Sequence, residues 1–136
     1  MQHIKGRFLE SRSVEREKLS WGQLGWLSRP STTGATAIST VEVEMGSGGG
    51  HSFHKHPRQE ELIYVVEGQI EQWLETERKT LGPGDVIFIP ANVVHASFNV
   101  SKAKAKVLAI LSPCVGPDGY ECVDVFTEEP WKSLKA

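Results

Sequence analysis

The segment HSFHKHPRQEELIYVVEG, residues 51–68, places three of the chain's five histidines within six positions, followed by two glutamates and a run of β-forming residues. Along an extended strand, side chains two apart share a face. His54 and His56 therefore point one way and Lys55 the other. At a rise of about 3.3 Å per residue their backbones lie roughly 6–7 Å apart, so both imidazoles can reach one ion. Glu60 and Glu61 open the apolar run that follows, and one of them should enter a strand facing the same interior. A further imidazole, His95, sits in the strand-like PANVVHASFN. Neutral imidazole and carboxylate suit Fe, Mn, Ni, Cu or Zn, and four such donors on an octahedral ion leave two positions open. Open positions separate a catalytic site from a structural one.

Outward from this segment the chain reads as short strands punctuated by glycine and proline. TAISTVEVEM (36–45) alternates apolar and polar residues, as a strand with one buried face should, and GSGGG (46–50) interrupts it. ELIYVVEG and QIEQWLE meet at Glu67-Gly68, where glycine can supply the positive φ of a tight hairpin. LGPGD places Pro83 and Gly84 at the centre of a type II turn. VIFIP, VVHASFNV and KAKVLAIL are again strand-length. VEREKLSW, near the start, is the best helix candidate but is short, and an edge strand with a turn fits it equally. Evenly spaced strands with turn signals indicate a sandwich or barrel. The expectation is one all-β domain over residues 1–136, with 1–20 as an N-terminal strand or arm.

The same residues resemble the cupin superfamily. Its first motif is Gly, five residues, His-x-His, three or four residues, Glu, six residues, Gly. Gly48, His54, His56, Glu61 and Gly68 fall on it, and the spacing to Gly68 selects Glu61 over Glu60. The second motif is Gly, five residues, Pro-x-Gly, two residues, His, three residues, Asn. Gly84, Pro90, His95 and Asn99 match it, with Asn92 standing where the family usually has glycine. Asparagine tolerates the left-handed conformation better than most residues, so the turn should survive. With the first motif at 48–68 and the second at 84–99, the resemblance implies a single antiparallel double-stranded β-helix, the jelly-roll barrel of the small single-domain cupins. It implies a divalent transition metal, iron foremost, with Mn, Ni, Zn or Cu also suited, held by His54, His56, Glu61 and His95. It also implies pairing into a homodimer through N-terminal strands.

Other residues read more plainly. His51 follows three glycines, out of register with His54 on a regular strand, and is taken as a solvated loop residue. His3 is terminal, and Glu60 should face solvent. Phe88, Phe98, Tyr64 and Trp73 lie in strands and suit core or wall, although inward Glu61, Ile63 and Val65 would turn Tyr64 outward. Trp21 and Trp26 suit packing, an interface or a lid, and Gln72 a barrel interior or an exposed strand face. GSGGG lacks the residues of a phosphate cradle and reads as a loop at the barrel mouth.

A net charge of −2 with interspersed signs offers no basic field for nucleic acid. No apolar run approaches membrane-spanning length. Cys114 and Cys122 are too few for a disulfide framework; they could clasp a hairpin, but reduced thiols in a cytoplasmic protein are the expectation. The function expected is a metal-dependent oxidoreductase of dioxygenase type acting on a small organic molecule. The alternatives are a non-catalytic metal-dependent binding module and an isomerase or lyase using the ion as a Lewis acid.

Overall fold

The computed structural model describes residues 5–135, so His3 lies outside the described residues. VEREKLSW forms an edge strand, β1 (Glu15–Leu19), which turns back into β2 (Gly22–Ser28) with Leu19 opposite Gly22. A one-turn helix, α1 (Pro30–Thr33), ends at left-handed Gly34 and leads to β3 (Ser39–Met45). The strands that follow are β4 (Gly50–Lys55), β5 (Glu60–Glu67), β6 (Ile70–Leu74), β7 (Glu77–Leu81), β8 (Val86–Ile89), β9 (His95–Phe98), β10 (Ala105–Ser112) and the short β11 (Val123–Asp124). A second one-turn helix, α2 (Trp131–Leu134), ends the described chain. No helix among the described residues is long and apolar enough to cross a membrane.

Two antiparallel sheets result, one ordered β1-β2-β3-β10-β5-β8 and the other β11-β4-β9-β6-β7. β3 and β10 alternate buried and half-buried residues along their length, as a strand over a core requires. The principal core gathers Leu24, Val43, Met45, Val65, Ile89 and Val107 from the first sheet with Ile70 and Leu81 from the second. A smaller cluster of Phe53, Trp73, Val94, Ala96 and Val125 packs with Phe98 and with Trp131 of α2.

Local chemistry explains the connections. Asn92 adopts φ 66°, so the asparagine in place of glycine keeps the left-handed turn. Gly84, at φ 90°, closes its turn with Asp85 N–H donating to the Gly82 carbonyl at 2.9 Å. The expected hairpin at Glu67-Gly68 does not form, because β5 and β6 belong to different sheets. Gly68, at φ 75°, carries its α-carbon against the backbone of Lys104 and Ala105, where any side chain would collide. The turn therefore hands the chain from one sheet to the other. The hairpin lies one step later, between β6 and β7, with Glu75 at φ 54°.

Parity along β5 is as expected: Glu61, Ile63 and Val65 are buried, while Glu60 and Tyr64 face out. Trp73 and Gln72 are both buried and Phe98 is half-buried. Phe88 departs from its expected place in the core and is 51% exposed, because it pairs with outward Leu62 across the β5–β8 ladder. Both cysteines are free.

Candidate metal centre

The two sheets bring His54, His56, Glu61 and His95 to one point. His54 and His95 are directly paired across the β4–β9 ladder of the five-stranded sheet, and His56 follows the end of β4. Glu61 comes from β5 of the opposite sheet. All four are buried. One ring nitrogen each from His54, His56 and His95 lie within 4.8 Å of one another, close enough to share an ion.

The tautomers follow from the backbone. Nδ1 of His54 lies 2.6 Å from the Ser52 carbonyl, Nδ1 of His56 2.7 Å from that of Glu121, and Nδ1 of His95 3.0 Å from that of Val93. A carbonyl only accepts, so each Nδ1 must carry the proton, and the neutral rings turn bare Nε2 lone pairs inward. This is the outer-sphere arrangement that fixes metal-binding histidines.

The inward atoms are left short of partners. Nε2 of His95 stands 2.8 Å from Oε1 of Glu61, and Nε2 of His56 stands 3.3 Å from the same oxygen. Oε1 of Glu61 and Nε2 of His95 nevertheless lack a hydrogen bond of acceptable geometry. Two buried acceptors facing one another are costly unless a cation lies between them. With metal–ligand bonds of about 2.1 Å, neighbouring donors of an octahedron are roughly 3.0 Å apart. The Glu61 separations bracket that edge, so the four residues fit a divalent transition ion.

The electrostatics agree. Burial pushes the Glu61 carboxyl upward, but positive charge brought to it at His56 and His95 outweighs burial and holds the group below the ordinary carboxylate range, as a bound cation would. Burial, with the neighbouring imidazoles, drives His54 well down. Burial also pulls on His56, yet the adjacent Glu61 carboxylate raises it overall. His56 therefore holds a proton more readily than His54 does.

The cluster forms one side of a cavity of about 280 Å³. Trp21, Leu24, Trp26, Val41, Val43 and Val107 are prominent in its apolar lining. Gln59, buried in the first motif, holds the segment that completes the rim: its amide donates to the carbonyls of Pro113 and Gly119, and its oxygen accepts from Glu121 N–H at 3.0 Å. Arg58 grips the Glu121 carboxylate with two bonds, at 3.0 and 2.9 Å. Tyr120 and Cys122 thereby reach the cavity.

His51 departs from the expected loop position. It lies in β4, lines the cavity, and stacks between Trp21 at 4.5 Å and His54 at 3.5 Å between ring centroids. The β4–β9 register shifts between His51 and His54, and this irregularity brings two side chains of odd spacing to one face. No signal in the sequence marks that shift. Cys122 and Tyr120 were equally hidden, since a strap held by Gln59 delivers them from far along the chain.

The sequence profile of the cupin domain matches residues 41–111. The polyketide synthase CurC of Streptomyces cyaneus is 32% identical over 130 residues, 96% of this chain and 83% of that protein. The quercetin 2,3-dioxygenase of Bacillus subtilis is 35% identical over 60 residues, 44% of this chain; the chain spans 18% of that longer protein. In structure, the polyketide cyclase RemF from Streptomyces resistomycificus superimposes with a TM-score of 0.76 at 24% identity, covering 97% of this chain and 94% of that one. The motifs in register, the two-sheet barrel and the profile spanning more than half its length together establish that the chain belongs to the cupin family.

Proposed function

We propose that this cupin is a metal-dependent enzyme acting on a neutral, apolar small molecule bearing several carbonyl or enol oxygens, a substrate of polyketide type. The supporting observation is the lining of the cavity: four imidazoles with the carboxylates of Glu61 and Asp124, an extensive set of aliphatic and indole side chains, and no Lys or Arg among the described lining residues. A sugar phosphate would find no Lys or Arg to grip its phosphate, and a small dicarboxylate would leave the apolar wall uncovered. A largely apolar molecule with oxygens at one end satisfies both sides.

His54, His56, Glu61 and His95 would hold the divalent ion, iron or one of Mn, Ni, Zn and Cu, which when bound supplies Lewis acidity at a carbonyl or enolate oxygen. The Ser52, Glu121 and Val93 carbonyls keep the three imidazoles in one tautomer and orientation. Burial raises Tyr120 and so keeps its phenol protonated, a donor for a substrate oxygen. Ser97 donates to Oε1 of Gln72 at 2.5 Å, which leaves its oxygen free to accept from a substrate hydroxyl. The aliphatic wall keeps water from the reacting carbons and strengthens each of these interactions.

The reaction we favour is ring closure: an enolate carbon bonds to a carbonyl carbon of the same chain, and the resulting alcohol leaves as water. The near full-length match to CurC and the likeness to RemF support this class. Reaction with O2, the dioxygenase type expected from the motifs, is the second reading, favoured by the match to quercetin 2,3-dioxygenase. Pairing into a homodimer belongs to the same proposal. Its support is an outward apolar surface in which Leu62 faces Phe88 and Tyr64 faces Val86, each well exposed.

The test is elemental analysis of the purified protein, followed by incubation of the metal-loaded form with a linear poly-β-ketone, reading product mass and oxygen consumption. A cyclised product one water lighter, with no oxygen uptake, supports the first reading. Oxygen uptake in step with product selects the second. Binding without chemical change in a fully loaded protein would sink both and leave a binding module.

A further inference from the structure

We propose that His51, His54 and Cys122 form a second metal position at the mouth of the cavity, suited to a thiophilic ion such as Zn(II) or Cd(II). One donor atom from each of the three lies within 4.8 Å of the others. Sγ of Cys122 is 4.0 Å from Nε2 of His51 and 3.9 Å from Oδ1 of Asp124, and all four side chains line the cavity. Two imidazoles and a thiol make a three-donor set of the kind zinc adopts with a fourth position open, and the Asp124 carboxylate stands beside the thiol. The thiol favours softer ions than the His and Glu donors of the inner centre. On coordination the thiol proton leaves to solvent and no oxidation state changes.

This position competes with the inner centre, a consequence that rests on the ligand set proposed above. Nδ1 of His54 is committed to the Ser52 carbonyl, so the ring has one uncommitted nitrogen and serves one ion at a time. An ion at the mouth therefore takes a ligand from the inner centre and obstructs the cavity. Coordination also moves His51. Its ring lies within 14° of parallel to that of His54 at 3.5 Å, and an ion cannot lie in both planes at once. Binding must tilt His51 out of its stack with Trp21. The second cysteine cannot substitute: Cys114 lies 3.3 Å from Ser39 Oγ and is not among the cavity-lining residues.

The experiment titrates chelator-treated protein with Cd²⁺ alone and follows thiolate-to-metal charge-transfer absorption, with cadmium counted per chain. The band should appear in the native protein and in Cys114→Ser and Glu61→Gln, and vanish in Cys122→Ser. In His51→Gln the midpoint should weaken at least about tenfold, the loss that follows even from removing a ligand's hydrogen-bond partner. One cadmium per chain supports the sharing of His54, and two would overturn it. Absence of the band in native protein, its persistence in Cys122→Ser, or an unchanged midpoint in His51→Gln overturns the mouth site. Cadmium bound without the band and lost in Glu61→Gln would leave the inner centre standing alone. A band that survives Glu61→Gln while no ion binds the inner residues would leave the mouth site standing alone.

Discussion

The two sheets divide the work, and they differ most on their outer faces. The outer face of the five-stranded sheet carries Phe53, Trp73 and Ala96, which the chain itself covers with Val125 and Trp131. The outer face of the six-stranded sheet carries Leu62, Tyr64, Val66, Val86 and Phe88, all between 41% and 51% exposed. Inside, the contrast reverses. The five-stranded sheet contributes the imidazoles of His51, His54 and His95, whereas the six-stranded sheet contributes Glu61 and the aliphatic wall. The sheet that carries most of the reactive groups is therefore sealed on its back by its own chain. The sheet that carries the wall leaves its back exposed. A histidine cluster needs fixed ring positions, and a packed rear layer restricts the motion that would blur them.

The largest expected effect breaks the seal. Trp73→Ala removes a buried indole that packs edge-on to Phe53 at 5.5 Å between centroids. It should cost about 3–5 kcal/mol in denaturant unfolding, and a loss below about 1 kcal/mol would show that the rear layer does not brace the sheet.

Acid should come next. Burial lowers His51 to about 4, only partly offset by Glu61, and lowers His54 in the same direction. The unfolded chain takes up these protons near pH 6.5 and the folded one only at lower pH, so stability falls as pH drops below about 6.5. His56, raised by Glu61, acts with the opposite sign: its contribution is present below its unfolded value and lost as pH rises through its folded one. Two depressed imidazoles against one raised leave a net loss in acid, with His51 alone contributing roughly 3 kcal/mol by pH 4. Urea midpoints of chelator-treated protein at pH 7.5 and pH 4.5 would check this, and equal midpoints would contradict it.

A smaller effect sharpens the inner contrast. Gln72→Leu leaves the buried Ser97 hydroxyl without its acceptor and should cost about 1–3 kcal/mol. The smallest stability effect lies on the exposed sheet. Phe88→Glu should change monomer stability by no more than about 0.5 kcal/mol, yet convert a dimer to monomer in size-exclusion chromatography with light scattering. Unchanged mass relative to a native dimer would move the interface elsewhere.

Much of the centre was legible in the chain. The spacing of the cupin motif chose Glu61 over Glu60, and strand parity then sent Tyr64 outward, because a strand alternates faces whatever surrounds it. Asn92 was readable as a left-handed turn because that preference is local. Phe88 was misplaced because composition cannot tell a sheet's inner face from its outer one. The turn at Gly68 was misread because a positive φ permits both a hairpin and a crossing between sheets.

Alternation along strands and glycine placement thus determined the strands, and the spacing within two local motifs named the four inner residues, since each of these patterns runs along one stretch of chain. Tertiary structure alone decided that a register shift in β4 turns His51 toward His54. It alone decided that Gln59 draws Tyr120 and Cys122 to the cavity rim. Those arrangements depend on contacts between segments as many as 62 residues apart, to which local pattern is blind.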